Sequence, residues 1–358
     1  MTCLKTAAPR PRDSGAMDFG FRYRNGVHAT QASFVDPAAV EAWDAWFRWR
    51  EGNELRDMTI DTTWSRVTQA LCELEPGLPA RHEQLVGEAI SSWRLLVDAR
   101  ALAGAGRRNF SWPADRFCAS INLARFVSLP FTPKAAFQRH ALDATVRLAV
   151  RLIDNVRLTT PQDGTPPRLG VIGLADALAM LGLDYASEHT ARAAAQIARD
   201  FARAVLDATN ELARERGSRA DRHEVDRAVA RADALGEGAD LGLRIRRHGL
   251  RIGPLTAIDR QPQLALVANN VADAISPLRG EKAVYIIRNA DGERRIAASG
   301  FAITLWHQLG ARANDTTFPQ STAATAGDAG VANIRAAMLP WFDHAAETAA
   351  EPVDIVTA

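Results

Sequence analysis

The stretch from Phe117 to Gly217 restricts the fold more than any other part of this chain. Three apolar stripes recur there at helical spacing: Phe137, Ala141, Leu148, Leu152 and Val156; then Leu174, Leu178 and Leu181; then Ile197, Phe201, Val205, Ala208 and Leu212. A stripe of this kind predicts a helix that buries one face, and three of them need a common partner layer. The punctuation agrees. Thr132-Pro133 reads as the cap of the first helix, and Thr159–Pro167, with its prolines and Gly164, as a loop. Gly170 and Gly173 allow a close backbone approach, and Gly182 stops the second helix. Ser187 caps the third, with Glu188 favourable in its first turn, and Gly217 ends it.

The flanks read as follows. Met1–Met17 is rich in Pro, Arg, Ala and Gly and is expected to be disordered. Phe19–Arg24, Asn25-Gly26 and Val27–Phe34 read as a hairpin, because Asn-Gly tolerates the positive φ of a tight turn. Asp36-Pro37 caps a helix carrying Val40, Trp43, Trp46, Phe47 and Trp49. Aromatics this dense suit either stacking on bases or docking on a core. Without a basic stripe beside them, docking is the better reading. Further helices are expected over Thr59–Leu74, with Trp64, Val67, Leu71 and Leu74 inward, and over Arg81–Val97, with Leu85, Ala89, Ile90, Trp93 and Leu96 inward. Leu102–Gly106 reads as a small-residue turn. Arg219–Ala230 reads as a solvated helix or loop; Leu241–Gly249, with Arg244, Arg246, Arg247 and His248, suits either an anion or nucleotide contact or an exposed strand or loop edge, and the edge is the better reading. Val284–Arg288 and Glu293–Ala297 form a second hairpin, Phe301–Leu309 a buried helix, Thr316–Gly330 a loop, and Val331–Phe342 a short helix on the core. The last dozen residues are expected to be disordered.

Charge and cysteine usage narrow the function classes. Lys and Arg total 43 against 42 Asp and Glu, so no net field draws nucleic acid or an anionic membrane. No apolar run approaches the ~18 residues of a spanning helix, and no signal-peptide core precedes Asp13, which points to the cytoplasm. Cys3, Cys72 and Cys118 are too few and too scattered for a disulfide framework or a metal pair. His189, His248 and His307 stand isolated.

Four segments carry a family resemblance. Ser120-Ile-Asn-Leu-Ala-Arg-Phe-Val127, Val146–Val156, Gly170-Val-Ile-Gly-Leu-Ala-Asp176 and Ala208–Gly217 follow one another in the order, and with the spacing, of the large catalytic subunit of ribonucleotide reductases. The chain most resembles the cobalamin-dependent class. Asp61–Val67 and Trp93–Gly106 are similar to that family's N-terminal helical region, and Arg247–Leu278 to a distorted copy of its next recurrent stretch. The resemblance implies radical chemistry in a ten-stranded α/β barrel. There a loop thiyl abstracts a ribose hydrogen, and a cysteine pair supplies two electrons.

The departures matter as much. The family's thiyl loop has the form Asn-x-Cys-x-Glu, and its only echo here is Asn109-Phe-Ser-Trp-Pro113, without sulfur or carboxylate. The family's second redox cysteine falls on Arg116, and Cys118 lies two residues nearer Asn122. The family's phosphate loop Pro-Thr-Gly-Thr-Ile-Ser corresponds to Asp259-Arg-Gln-Pro-Gln-Leu264, which has no Gly and places Asp259 where an anion would sit. The catalytic candidates left are Cys118, Asn122 and Asn109. No metal and no cofactor is predicted, and adenosylcobalamin enters through the resemblance alone.

These readings give a mainly α, α+β protein: a truncated remnant of the ribonucleotide-reductase α/β barrel with peripheral β-hairpins. Its divisions are a lead (1–17), a hairpin and helical region (18–106), a reductase-like core (107–344) and a tail (345–358). The expected function is a reductase homologue without reductase activity that acts as a nucleotide-binding or regulatory protein. The alternatives are a reductase-related enzyme working with a partner chain, or a repurposed thiol enzyme using Cys118. The expected partners are a nucleotide and a second copy or a full-length reductase subunit, with no membrane and no nucleic acid.

Overall fold

The computed structural model describes residues 34–159, 165–236, 238–280, 283–289, 292–309, 318, 323–344 and 354–357. The lead and the first hairpin, apart from Phe34, lie outside them. So do 160–164 of the proline loop and 345–353 of the tail.

Helix α1 (Pro37–Ala42) starts as expected: the Asp36 carboxylate accepts from the N–H groups of Ala38 (2.8 Å) and Ala39 (3.1 Å). It widens into a π-helical turn, Trp43–Phe47, which buries Trp43 and Phe47. Val40, expected on the same stripe, is exposed, because Ala38, Ala39 and Ala42 form the close-packed face instead. A small ladder, β1 (Arg50–Glu51) with β2 (Glu54–Leu55), leads to α2 (Ile60–Cys72). A reciprocal Thr59–Thr62 box caps α2, which buries Trp64, Val67 and Leu71.

Helix α3 (Ala80–Ser91) stops well short of Val97. Trp93 adopts a left-handed φ of 61° and packs its indole edge-on against Trp64 at 4.7 Å. The following Leu95–Val97 is fully buried and forms strand β3. Helical periodicity misled here because a short all-apolar strand looks the same to a 3.6-residue template. Leu85 is correspondingly exposed. The expected turn at Leu102 lies within a short helix, α4 (Ala99–Gly104), capped by Asp98.

Strand β4 (Cys118–Asn122) runs antiparallel to β3 and parallel to β7 (Arg168–Ile172). Between them come β5 (Val127–Ser128), β6 (Ala136–Phe137) and the long helix α5 (Arg139–Thr159). The cap expected at Thr132-Pro133 is therefore not used: β6 pairs with β5 first, and the helix begins at Arg139. The sheet continues beyond β7. Leu169 N–H donates to Leu255 O (2.9 Å) and Ala257 N–H to Leu169 O (3.1 Å), and His344 N–H then donates to Thr256 O (3.0 Å). The result is one open layer, not a closed barrel, among the described residues.

Helix α6 (Leu174–Met180) follows Gly173, whose φ of 70° makes the sharp exit from β7. Helix α7 (Glu188–Arg216) is the longest and lies along α5, the two joined by Arg147–Glu211 (2.8 Å) and Arg203–Asp143 (2.6 Å) ion pairs. Helix α8 (Arg222–Ala234) and α9 (Gly238–His248) form a satellite core with Ala202 and Leu206 of α7. The basic edge expected at Leu241–Gly249 is thus mostly helix: Leu241 and Ile245 are buried, while Arg246 and Arg247 face out. The short α10 (Pro262–Val267) precedes the hairpin β8 (Ala283–Asn289) and β9 (Gly292–Ala298), then the buried α11 (Phe301–Gln308).

Helix α12 (Ala323–Met338), kinked at Gly327, extends into residues expected to be loop. Strand β10 (Asp354–Thr357), expected to be disordered tail, pairs antiparallel with β8. Small, alternating residues in these two stretches gave too little hydrophobic pattern to reveal elements fixed by tertiary partners. Helix dominates with small sheets beside it, so the mainly α, α+β class holds.

Candidate functional site

Alternation along β4 puts Cys118, Ser120 and Asn122 on one face, and the parallel register sets them beside Arg168, Gly170 and Ile172 of β7. Gly170 matters here: a Cβ would lie 3.2 Å from the carbonyl of Ala257 on the next segment. Ser120 and Asn122 are fully buried. Asn122 caps the 3-10 turn Leu123–Phe126, its Oδ1 accepting from Ala124 N–H at 3.2 Å, while its own N–H donates to Arg94 O at 3.1 Å.

Cys118 opens the strand, its N–H donating to the Asp98 carboxylate at 3.1 Å. Burial, with Asp98 and Asp259 adding to it, pushes the thiol up to about 12. A thiol so held is a poor nucleophile at neutral pH. The other described cysteine, Cys72, ends α2 and is also free. Asn109 is exposed in the turn after α4, and no hydrogen bond joins it to the β4 pair. The structure therefore sets two of the three catalytic candidates on one strand face, about 13 Å apart at ~3.3 Å per residue, and leaves the third on the surface.

The phosphate-loop position holds an unexpected group. At the start of α10 the Gln261 N–H donates to Asp273 Oδ1 at 2.6 Å, and Arg260 Nε lies 3.1 Å from Asp273 Oδ2. A buried carboxylate thus fills the positive end of this short helix. Burial raises its pKa, opposed by those two donors. Asp273 sits in a contorted segment: Asn269, Asn270 and Ala274 all have positive φ, between 49° and 68°. Asp176 of α6 braces that segment, accepting from Ala272 N–H (2.6 Å) and Ala302 N–H (2.9 Å). Sequence reading missed Asp273. The available signal was Asn269-Asn270, a pair that tolerates left-handed backbone and can turn a following acid inward.

The residues that carry the helical matches have structural work. Asp154, fully buried on α5, accepts from Arg251 Nε at 2.9 and 3.0 Å and from Arg216 Nη1 at 2.7 Å. Arg216 also reaches Asn155 (2.8 Å) and Glu75, and Asn155 donates to Glu75 at 2.9 Å. One ionic knot thereby ties the ends of α2, α5 and α7 to the segment entering the sheet. Among the described residues no three His, Cys, Asp or Glu side chains gather as a metal site, and no helix is long and apolar enough to cross a membrane.

Comparison with known proteins gives a consistent picture. The pattern defining the ribonucleotide reductase barrel domain matches residues 113–357. Two vitamin B12-dependent ribonucleoside-diphosphate reductases of Mycobacterium tuberculosis, from strains CDC 1551 / Oshkosh and ATCC 25618 / H37Rv, are each 37% identical over 109 residues. Those matches cover 28% of this chain and 15% of each relative. The barrel-domain match takes in β4, β7, α5, α7 and the segments that complete the open sheet, and the chain belongs to the ribonucleotide reductase large-subunit family, with its similarity running to the cobalamin-dependent class.

Proposed function

We propose that this chain is a divergent member of that family which does not itself reduce ribonucleotides and acts as a nucleotide-binding or regulatory protein. The observation that carries the reading is Asp273, whose carboxylate accepts from Gln261 N–H at 2.6 Å where relatives would cradle a substrate phosphate. A substrate phosphate entering there would meet a carboxylate already bound to the same donor, and like charges repel strongly in a buried setting. The thiol chemistry points the same way. Cys118 has no second thiol beside it among the described residues, and Asn109-Phe-Ser-Trp-Pro113 offers no sulfur to carry a radical. These residues do not fit the chemistry that adenosylcobalamin serves in the family, so no step is derived through it.

The test is direct. Purified protein is incubated with ribonucleoside di- and triphosphates, dithiothreitol and adenosylcobalamin, and products are separated chromatographically. No deoxyribonucleotide is expected, and its formation above a protein-free control would end the proposal. Native mass spectrometry of the same mixtures reads nucleotide binding.

A second reading has one observation in its favour. Among the described residues the sheet is open, ending at β3 on one side and at 343–344 on the other, and an open layer with buried strands can be completed by another chain. In that reading the protein joins a full-length reductase subunit or a second copy of itself. Size-exclusion chromatography with the source organism's reductase tests it, and separate elution counts against it.

A further inference from the structure

A cavity of about 260 Å³ lies between α7, α8, the 250–256 segment and residues 343–344. Val205, Leu206, Leu250 and Pro254 line its apolar side. Its polar groups divide into those already committed and those with capacity left. Asp343 is committed: Oδ1 pairs with Arg231 at 2.7 Å, and Oδ2 accepts from Leu255 N–H, Thr256 N–H and Thr256 Oγ1 at 2.8 to 3.0 Å. Arg231 spends its other terminal nitrogen on Phe342 O at 3.2 Å.

Three groups remain. Arg227 makes no ion pair among the described residues. Glu224 stands one helical turn earlier on the same face of α8, yet the two do not pair with each other; Glu224 Oε2 takes only the Asp221 N–H, at 3.0 Å. An i,i+3 acid–base pair that could close on itself, and instead opens on a cavity, leaves one positive and one negative group for a guest. The third is His344, whose Nε2 is buried without a hydrogen-bond partner. Burial and the nearby Arg168 lower its pKa, so the ring is neutral at pH 7. Gly253 forms part of the wall, and a Cβ there would lie 2.6 Å from the Glu224 carboxylate, so the absence of a side chain leaves that acid its place.

Size and charge select the guest. At about 260 Å³ the cavity lies just under the ~300–1,000 Å³ usual for ligand pockets, which favours a compact guest. With Arg231 and Asp343 neutralising one another, the charged groups left are one cation and one anion, beside an apolar wall and the His344 ring. A polyanion meets Glu224 unfavourably, and a simple hydrocarbon leaves both charges unmet. A molecule bearing a carboxylate, an ammonium and a compact apolar body meets both charges and the wall. We propose that this cavity is a binding site for a free α-amino acid with an apolar side chain, its carboxylate on Arg227, its ammonium on Glu224 and its side chain against Val205, Leu206 and Leu250. This site is separate from the nucleotide reading above and stands or falls independently of it. Its occupant would press on Asp343 and His344, which pin the outermost segment of the sheet.

The test uses the full chain and L-leucine as the probe, read by isothermal titration and by the thermal-unfolding midpoint. Saturable binding and a raised midpoint are expected, with affinity at least about tenfold weaker for isocaproate, which lacks the ammonium, and for leucinol, which lacks the carboxylate. Arg227→Gln and Glu224→Gln, which keep the fold because Arg227 is exposed and Gln preserves the capping box, should each weaken binding about tenfold or more. Gly253→Leu should abolish it. The proposal is overturned if L-leucine, L-valine and L-methionine all fail to bind at up to about 10 mM. It is equally overturned if isocaproate or leucinol binds as well as leucine, or if the two Gln variants bind normally.

Discussion

Removing Asp154 exposes what the ionic knot contributes. Asp154→Ala would leave the Arg251 guanidinium, 7% exposed, facing an emptied site, and would cost Arg216 one of its partners. Arg216 keeps Glu75 and Asn155, so the larger loss falls on Arg251, whose remaining bonds are to the carbonyls of Arg216 and Gly217. Breaking one side of a buried pair costs about 3–5 kcal/mol, against a total stability of about 5–15 kcal/mol. Arg251→Met should cost less, because the Asp154 carboxylate keeps its 2.7 Å bond from Arg216. The double variant Asp154→Ala/Arg251→Met removes both charges and should cost clearly less than the sum of the two single variants. Urea unfolding followed by tryptophan fluorescence measures all three, provided the denaturant slope stays constant across the set. A single-variant cost below about 1 kcal/mol, or a double variant equal to the sum, would refute the assignment of these residues as a coupled buried network.

Other expectations are more local. Asp176 has its pKa raised by burial to about 6 from 3.8, so its favourable contribution is complete below pH ~4 and is lost as pH rises through 6, about 3 kcal/mol in all. Unfolding free energies of wild type and Asp176→Asn from pH 4 to 7 should therefore differ by an amount that shifts over that window; a flat difference contradicts it. Cys118, at about 12, should react with iodoacetamide at pH 8 roughly a thousandfold more slowly in the native chain than in urea, read site by site by mass spectrometry. Comparable rates would show the thiol to be far less perturbed. Gly173→Ala forces a side chain into left-handed backbone and sets its Cβ 2.5 Å from Asn122 Oδ1, so a loss of about 2–4 kcal/mol is expected by urea titration. A neutral outcome would mean the β7–α6 corner can relax.

Much of the frame was legible because its signals were local. Asp36-Pro37, Thr59, Ser187 and Gly217 announce helix ends through their own chemistry, and the α5 and α7 stripes run long enough for a 3.6-residue period to stand out. What stayed hidden depends on distant partners. Leu95–Val97 becomes a strand only because Ala119–Ile121 lies beside it, and Asp354–Thr357 only because Val284–Ile286 does. The candidate site shows the same split. Cys118 and Asn122 were visible as a motif on one strand. Asp273 was not, since its meaning comes from a helix and a contorted turn that return it to Gln261 twelve residues earlier.

The order of segments in the central layer has a kinetic consequence. Its neighbours are 95–97, 118–122, 168–172, 255–258 and 343–344, so most of its pairings close loops of fifty residues or more. Helices α5 and α7 can form from nearby contacts, but the layer they rest on cannot assemble until remote stretches meet, and non-local pairing of this kind belongs to the slow end of folding rates. Until then the apolar strands stay unshielded, so dilution and low temperature during refolding should govern how much chain escapes aggregation.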